Sequence, residues 1–86
     1  MITIFTLEVC PNCEILKQTL DSNNVKYKKL DAMSAEGITE MRVNGCFAIE
    51  MPVVMIGDGD RFLEHADLFL NGEILPLALQ TMKDSE

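Results

Sequence analysis

Basic charge is scarce in this chain. Seven lysine and arginine residues stand against 14 aspartate and glutamate, a formal net charge of −7 over 86 residues. Nucleic-acid binding needs a basic face that displaces counterions from phosphates, so nucleic acid is excluded as a partner class. Lys26, Lys28 and Lys29 gather around Tyr27, but lysines on a strand make a solvated edge that discourages strand addition by other chains. No apolar run approaches the ~20 residues of a membrane span. The N-terminus has no basic stretch followed by a long apolar one, so no signal peptide is read and the expected compartment is the cytoplasm. Internal repeats, linkers and low-complexity segments are also missing. The chain reads as one domain, residues 1–86, with a thin core and a polar tail at 83–86 expected to fray.

Soft metal ligands are few as well, with three cysteines and one histidine. Two of those cysteines are nevertheless placed where they matter most. Cys10-Pro11-Asn12-Cys13 directly follows Ile2-Thr3-Ile4-Phe5, which reads as a strand, and precedes Ile15, Leu16, Thr19 and Leu20, which have helical spacing. Cysteines three apart on a helix share a face, with Cα atoms about 5–5.5 Å apart, within reach of a disulfide. Cys10 falls at the N-cap, where unpaired N–H groups and the helix dipole favour a thiolate. In such places the thiol pKa drops from about 8.5 to about 3.5–7.5. Pro11 at the first helical position costs no hydrogen bond. Cys13, on the Leu16 and Leu20 face, is the more buried partner. Cys10 is therefore assigned attack on a disulfide, and Cys13 resolution of the mixed disulfide.

The remaining pattern predicts β-α-β-α-β-β-α. Strands are read at 2–6, 25–30, 53–56 and 61–63. A helix is read at 11–22, ended by Asn23-Asn24, and a second runs from Ser34 to Asn44-Gly45, its first turn weakened by Gly37. Gly57-Asp58-Gly59-Asp60 reads as a turn. A last helix is read at 66–82, interrupted by Asn71-Gly72 and Pro76. A helical connection makes the first two strands parallel, and the short turn makes the last two antiparallel. The result is a four-stranded mixed sheet with helices for both faces, an α/β fold. Met33, Met41, Met55 and Met82 are expected in the core, and Met51 is expected to be exposed beside the cysteines.

This order, with Cys-Pro-Asn-Cys after the first strand, resembles the glutaredoxin branch of the thioredoxin-fold superfamily. The likeness rests on Ile4-Phe5-Thr6 leading into Cys10–Cys13, on Met51-Pro52-Val53-Val54-Met55-Ile56-Gly57, and on Asp67-Leu68 opening the last helix. The resemblance implies a thioredoxin-like fold and a cis Pro52 beside the cysteines. It also implies that the Met51 backbone pairs with a bound peptide or glutathione, and that Asp67 belongs to the substrate-binding set. Many glutathione-using glutaredoxins carry a basic residue just before the first cysteine and a Gly-Gly pair before the last helix. Here those stretches read Thr6-Leu7-Glu8-Val9 and Leu63-Glu64-His65.

Glu8, Glu14 and Glu50 are expected near the cysteines. Like charges ~6–7 Å apart at an effective dielectric of ~20 repel by about 2–3 kcal/mol before screening. That disfavours glutathione, with its two carboxylates. The expected activity is that of a thiol–disulfide oxidoreductase acting on a disulfide-containing protein as a monomer, fed by a thioredoxin reductase. It needs no bound cofactor, and a glutathione-dependent glutaredoxin is the nearest alternative. An alternative of another class is a zinc-binding module using Cys10, Cys13, Cys46 and His65. Cys46 otherwise reads as a small core hydrophobe, and His65 as a residue flanking the last helix.

Overall fold

The computed structural model describes residues 1–85. Its elements are β1 (Ile2–Thr6), α1 (Pro11–Ser22), β2 (Tyr27–Asp31), α2 (Ala35–Val43), β3 (Val53–Ile56), β4 (Arg61–Leu63), α3 (His65–Leu68), β5 (Phe69–Leu70), β6 (Glu73–Ile74) and α4 (Pro76–Asp84). The main sheet has the order β2-β1-β3-β4, and β5 and β6 form a separate two-stranded ribbon. β1 is parallel to β2, with Ile2 opposite Tyr27 and Phe5 opposite Leu30, and antiparallel to β3, with Phe5 opposite Val53. β3 and β4 are antiparallel, Val54 facing Leu63.

All five β1 residues are buried, as expected of a strand covered on both faces. The two-residue period of a strand then sorts side chains into two cores. Ile2, Ile4, Val54 and Leu63 point to one face and pack with Leu16 and Leu20 of α1, Leu68 of α3 and Ala78 and Met82 of α4. Phe5, Val53 and Met55 point to the other and pack with Leu30, Ala32, Cys46 and Met41 of α2.

Helix ends explain two placements. Asn24 adopts φ 57°, and the Val25 and Asn24 amides donate to the Leu20 and Asp21 carbonyls at 2.9 and 3.1 Å. This is a Schellman closure, with Val25 as the apolar residue folded back on Leu20. It takes Val25 out of the strand, so β2 runs from 27 to 31 rather than from 25 to 30. The end of α2 repeats the device. Gly45 has φ 84°, the Cys46 and Gly45 amides donate to the Met41 and Arg42 carbonyls at 2.8 and 3.1 Å, and Cys46 is buried against Met41. Cys46 is thus the apolar stop of α2.

Three expectations are corrected. The helix read over 66–82 is α3, the β5–β6 ribbon and α4. Asn71 and Gly72 both have positive φ, 53° and 79°, the geometry of a two-residue type I′ hairpin turn, and Asn-Gly is its strongest sequence signal. Pro76 then opens α4 at its first position. Met33 is 72% exposed because it follows the last residues of β2 and leads into the α2 cap, outside both cores. Finally, the tail read at 83–86 differs: Lys83 and Asp84 complete α4, and the Met1 ammonium donates to the Ser85 carbonyl at 2.8 Å. Glu86 lies outside the described residues.

Candidate functional site: the Cys10–Cys13 pair

Cys10 is the N-cap of α1, with extended backbone at φ −152° and ψ 98°. Its sulfur accepts the Cys13 N–H at 3.1 Å, and Pro11 opens the helix. Cys10 and Cys13 are joined in a disulfide, their Cα atoms 5.2 Å apart. That separation lies inside the predicted window. The Cys13 amide and the first turn behind it favour a thiolate on Cys10 once the bond is reduced. Cys13 is 1% exposed, whereas Cys10 is half-buried. The accessible sulfur is therefore the one at the cap.

The Met51–Pro52 bond is cis. The Met51 carbonyl oxygen lies 3.8 Å from Cys10 Sγ, which places Met51 and Pro52 beside the pair. Met51 is half-buried and Pro52 is buried. Asp67 is on α3. Its carboxylate accepts the Glu64 N–H at 3.0 Å, while the Glu64 side chain caps the same turn in return. The group expected to bind substrate is already employed in a capping box.

The expected acidic rim divides. Glu8 and Glu14 line a cleft of about 300 Å3 that also holds Lys17 and Lys29, and Glu14 is paired with Lys17 at 2.7 Å. Glu50 lines a different cleft of about 400 Å3, with Glu64 and His65. Repulsion near the loop before Pro52 therefore comes from Glu50 and Glu64, whereas in the other cleft, which Asp31 also lines, two lysines offset part of the negative charge.

Sequence reasoning missed a groove. About 360 Å3 of space lies between the loop before Pro52 and α2, lined by Leu7, Met33, Ile38, Met41, Ile49 and Met51 among others. Arg42 is its one charged lining residue, its guanidinium 5.4 Å from the centre of the Phe47 ring. Ile49 and Phe47 are 92% and 68% exposed. The signal was present as apolar residues in a stretch that shows neither helical nor strand spacing, Cys46 to Met51.

Cys46 and His65 are not brought to the pair. Cys46 is in the core beneath α2, and the His65 ring is stacked on Phe69 with centroids 5.1 Å apart. Among the described residues no group of three or more His, Cys, Asp or Glu side chains stands close enough to hold a metal ion.

A cap cysteine, a buried partner cysteine one turn on and a cis proline alongside sit together on a thioredoxin-like fold. The glutaredoxin family model matches residues 2–60, more than half of the chain, and the chain belongs to that family. Among solved structures it is similar to the crystal structure of a mutant of the thioredoxin-like protein BC3987. The TM-score is 0.69 with 24% identity, covering 99% of this chain and 96% of that chain; a likeness at that identity speaks to fold alone. No curated protein matches in sequence. No helix among the described residues is long and apolar enough to cross a membrane.

Proposed function

We propose that the protein is a small dithiol electron carrier of the cytoplasm that reduces disulfides in other proteins. The Cys10 thiolate attacks one sulfur of the partner's disulfide, which leaves a Cys10–partner mixed disulfide and releases the other partner sulfur as a thiolate. The Cys13 thiolate then attacks Cys10 Sγ, forms the Cys10–Cys13 bond and releases the second partner thiol. Two electrons have passed to the partner, and an external reductant of the thioredoxin-reductase kind restores the dithiol. The protein itself needs no bound cofactor. The observation that carries this reading is the Cys10 sulfur at the α1 cap, 3.1 Å from the Cys13 amide and beside the Met51 carbonyl.

Two features bear on the reductant. Glu50 and Glu64 line the cleft before Pro52, which favours a reductase over anionic glutathione. Arg42 in the apolar groove favours the second reading, glutathione, because a guanidinium holds a carboxylate well. The groove itself supports a protein partner, since it offers apolar lining to residues flanking an attacked cysteine. A zinc module gains no support from the placement of Cys46 and His65.

The decisive experiment is a redox titration with Cys10→Ser and Cys13→Ser variants. Cys10→Ser should abolish disulfide reduction. Cys13→Ser should accumulate the mixed disulfide, seen as added mass on the intact protein. Retained activity in Cys10→Ser would overturn its role as nucleophile. Turnover by glutathione matching that with a reductase would replace the first reductant by the second.

A further inference from the structure

We propose that His65 and Glu50 form a proton-dependent tie that holds the loop carrying Met51 to the start of α3. The His65 ring is fixed by its stack on Phe69, at 5.1 Å and 22°, and Phe69 belongs to the main core. Its Nδ1 is buried and has no hydrogen-bond partner. That nitrogen faces Glu50 Oε2 at 3.9 Å, inside ion-pair range and outside hydrogen-bond range. Glu50 is 73% exposed against 39% for His65, so the carboxylate is the member free to swing. A neutral imidazole carries one N–H, and the protonated ring carries two. Protonation therefore guarantees a donor at Nδ1 and brings Glu50 in to meet it.

Glu50 directly precedes Met51, whose carbonyl lies 3.8 Å from Cys10 Sγ. A tie at Glu50 consequently steadies the backbone that lines the attacked disulfide. It also neutralises a carboxylate of the neighbouring cleft. His65 acts through Glu50 and is a positioning residue. The charged groups that line its cleft are acidic, Glu50 from the loop and Glu64 at the cap of its own turn, while Asp67 of the same turn is held by the Glu64 N–H. β4 offers only Arg61, at the end remote from α3, and β6 only Glu73. The charges of α4, Lys83 and Asp84, are in its last turn. No cation from these elements competes for Glu50 at the ring.

The test compares the wild type, His65→Gln, Glu50→Gln and the double variant at about pH 5.5 and about pH 8, on either side of imidazole titration. The substrate is a soluble peptide closed by one disulfide. At the lower pH each single variant should show a KM about two- to five-fold above wild type, the span of an exposed ion pair. The double variant should be no worse than either single one. At the higher pH all four should agree. The loss of Cys10 thiolate at low pH is shared by all four and cancels in the ratio. An effect equal at both pH values, or additive in the double variant, would overturn the tie.

A second readout separates this inference from the dithiol reading, on which only the kinetic arm rests. The Met51 amide resonance should move on acidification in the wild type and stay still in both single variants. If no protein reduces the peptide, the dithiol reading fails while the amide shift still decides the tie. If the amide shift is the same in all variants, the tie fails whatever the turnover.

Discussion

The two faces of the sheet are built to different standards. The face under α1 and α4 collects eleven buried residues, and seven of them, Ile2, Ile4, Leu16, Leu20, Val54, Leu68 and Met82, are wholly inaccessible and drawn from five elements. The face under α2 collects seven, and α2 contributes only Met41 and the backbone of Gly37 to burial. Its border is the exposed apolar set Met33, Ile38, Phe47 and Ile49. The Cys10–Cys13 site straddles this divide. Cys13 belongs to α1, anchored in the well-packed face through Leu16 and Leu20. Met51 packs against the thinner one. For the chemistry proposed above, the cysteine pair is thus seated on the larger core and the loop before Pro52 on the smaller one.

If that contrast is real, matched truncations should expose it. Leu20→Ala removes a side chain with no exposed surface between α1 and the sheet, where neighbouring helices prevent collapse. It should cost about 3–5 kcal/mol, a large part of the roughly 5–15 kcal/mol that holds a domain folded. Met41→Ala, under a nine-residue helix and replacing a flexible side chain, should cost about 2 kcal/mol, the low end of the range. Urea unfolding followed by circular dichroism reads both. Equal losses would mean that the two cores are equally specific and that the contrast lies only in their size.

How much of this was legible depends on where chemistry and periodicity coincide. The Cys10–Cys13 cap was readable because proline, N-cap and apolar spacing all agree on one helix start. β3 and β4 were readable because a compact apolar run ends in a Gly-Asp-Gly-Asp turn. The segment after Asp67 was not. Apolar residues at 68, 69, 75, 78, 79 and 82 fit a helix and are buried or half-buried in the structure, yet the chain passes from α3 to α4 through a hairpin. Periodicity counts which residues face the core and is blind to how the chain travels between them. Asn71-Gly72 was seen as a breaker, although it also specifies the turn that replaces the helix. The acidic rim was legible only in part, because pairing partners such as Lys17 for Glu14 depend on side-chain placement that spacing does not carry.

Gly37 sharpens the contrast on the thinner face. By propensity alone, Gly37→Ala should stabilise α2 by up to about 1 kcal/mol. A Cβ there would run into the Asp31 carbonyl oxygen, and the Gly37 N–H is held by Ser34 Oγ at 3.0 Å. Close approach of α2 to the end of β2 therefore requires glycine. The substitution should instead cost about 1–3 kcal/mol, the usual range for overpacking, read as a lower urea midpoint. A gain in stability would show that α2 sits loosely enough to shift aside.

The smallest expected effect tests how α1 is fastened to β2 on the better-packed face. Tyr27, the one tyrosine of the chain, donates its hydroxyl proton to Asp21 Oδ1 at 3.1 Å. Its pKa is raised above the usual phenol value, first by burial, then by the hydrogen bond to Asp21 and the negative charges of Asp21 and Glu14. All of these favour the neutral phenol. The contribution to stability is therefore present in full below the unfolded-state value of about 10 and is lost as pH rises through the higher folded value. A single tyrosine makes the phenolate absorbance an uncluttered readout. The midpoint should lie above the ordinary phenol value of about 10 in the wild type and move down in Asp21→Asn, which keeps an acceptor and removes the charge. Because burial is the first cause, part of the elevation should survive that change. An unchanged midpoint in Asp21→Asn would strike the Asp21 charge from the causes and leave burial and the hydrogen bond between α1 and β2 to carry the shift.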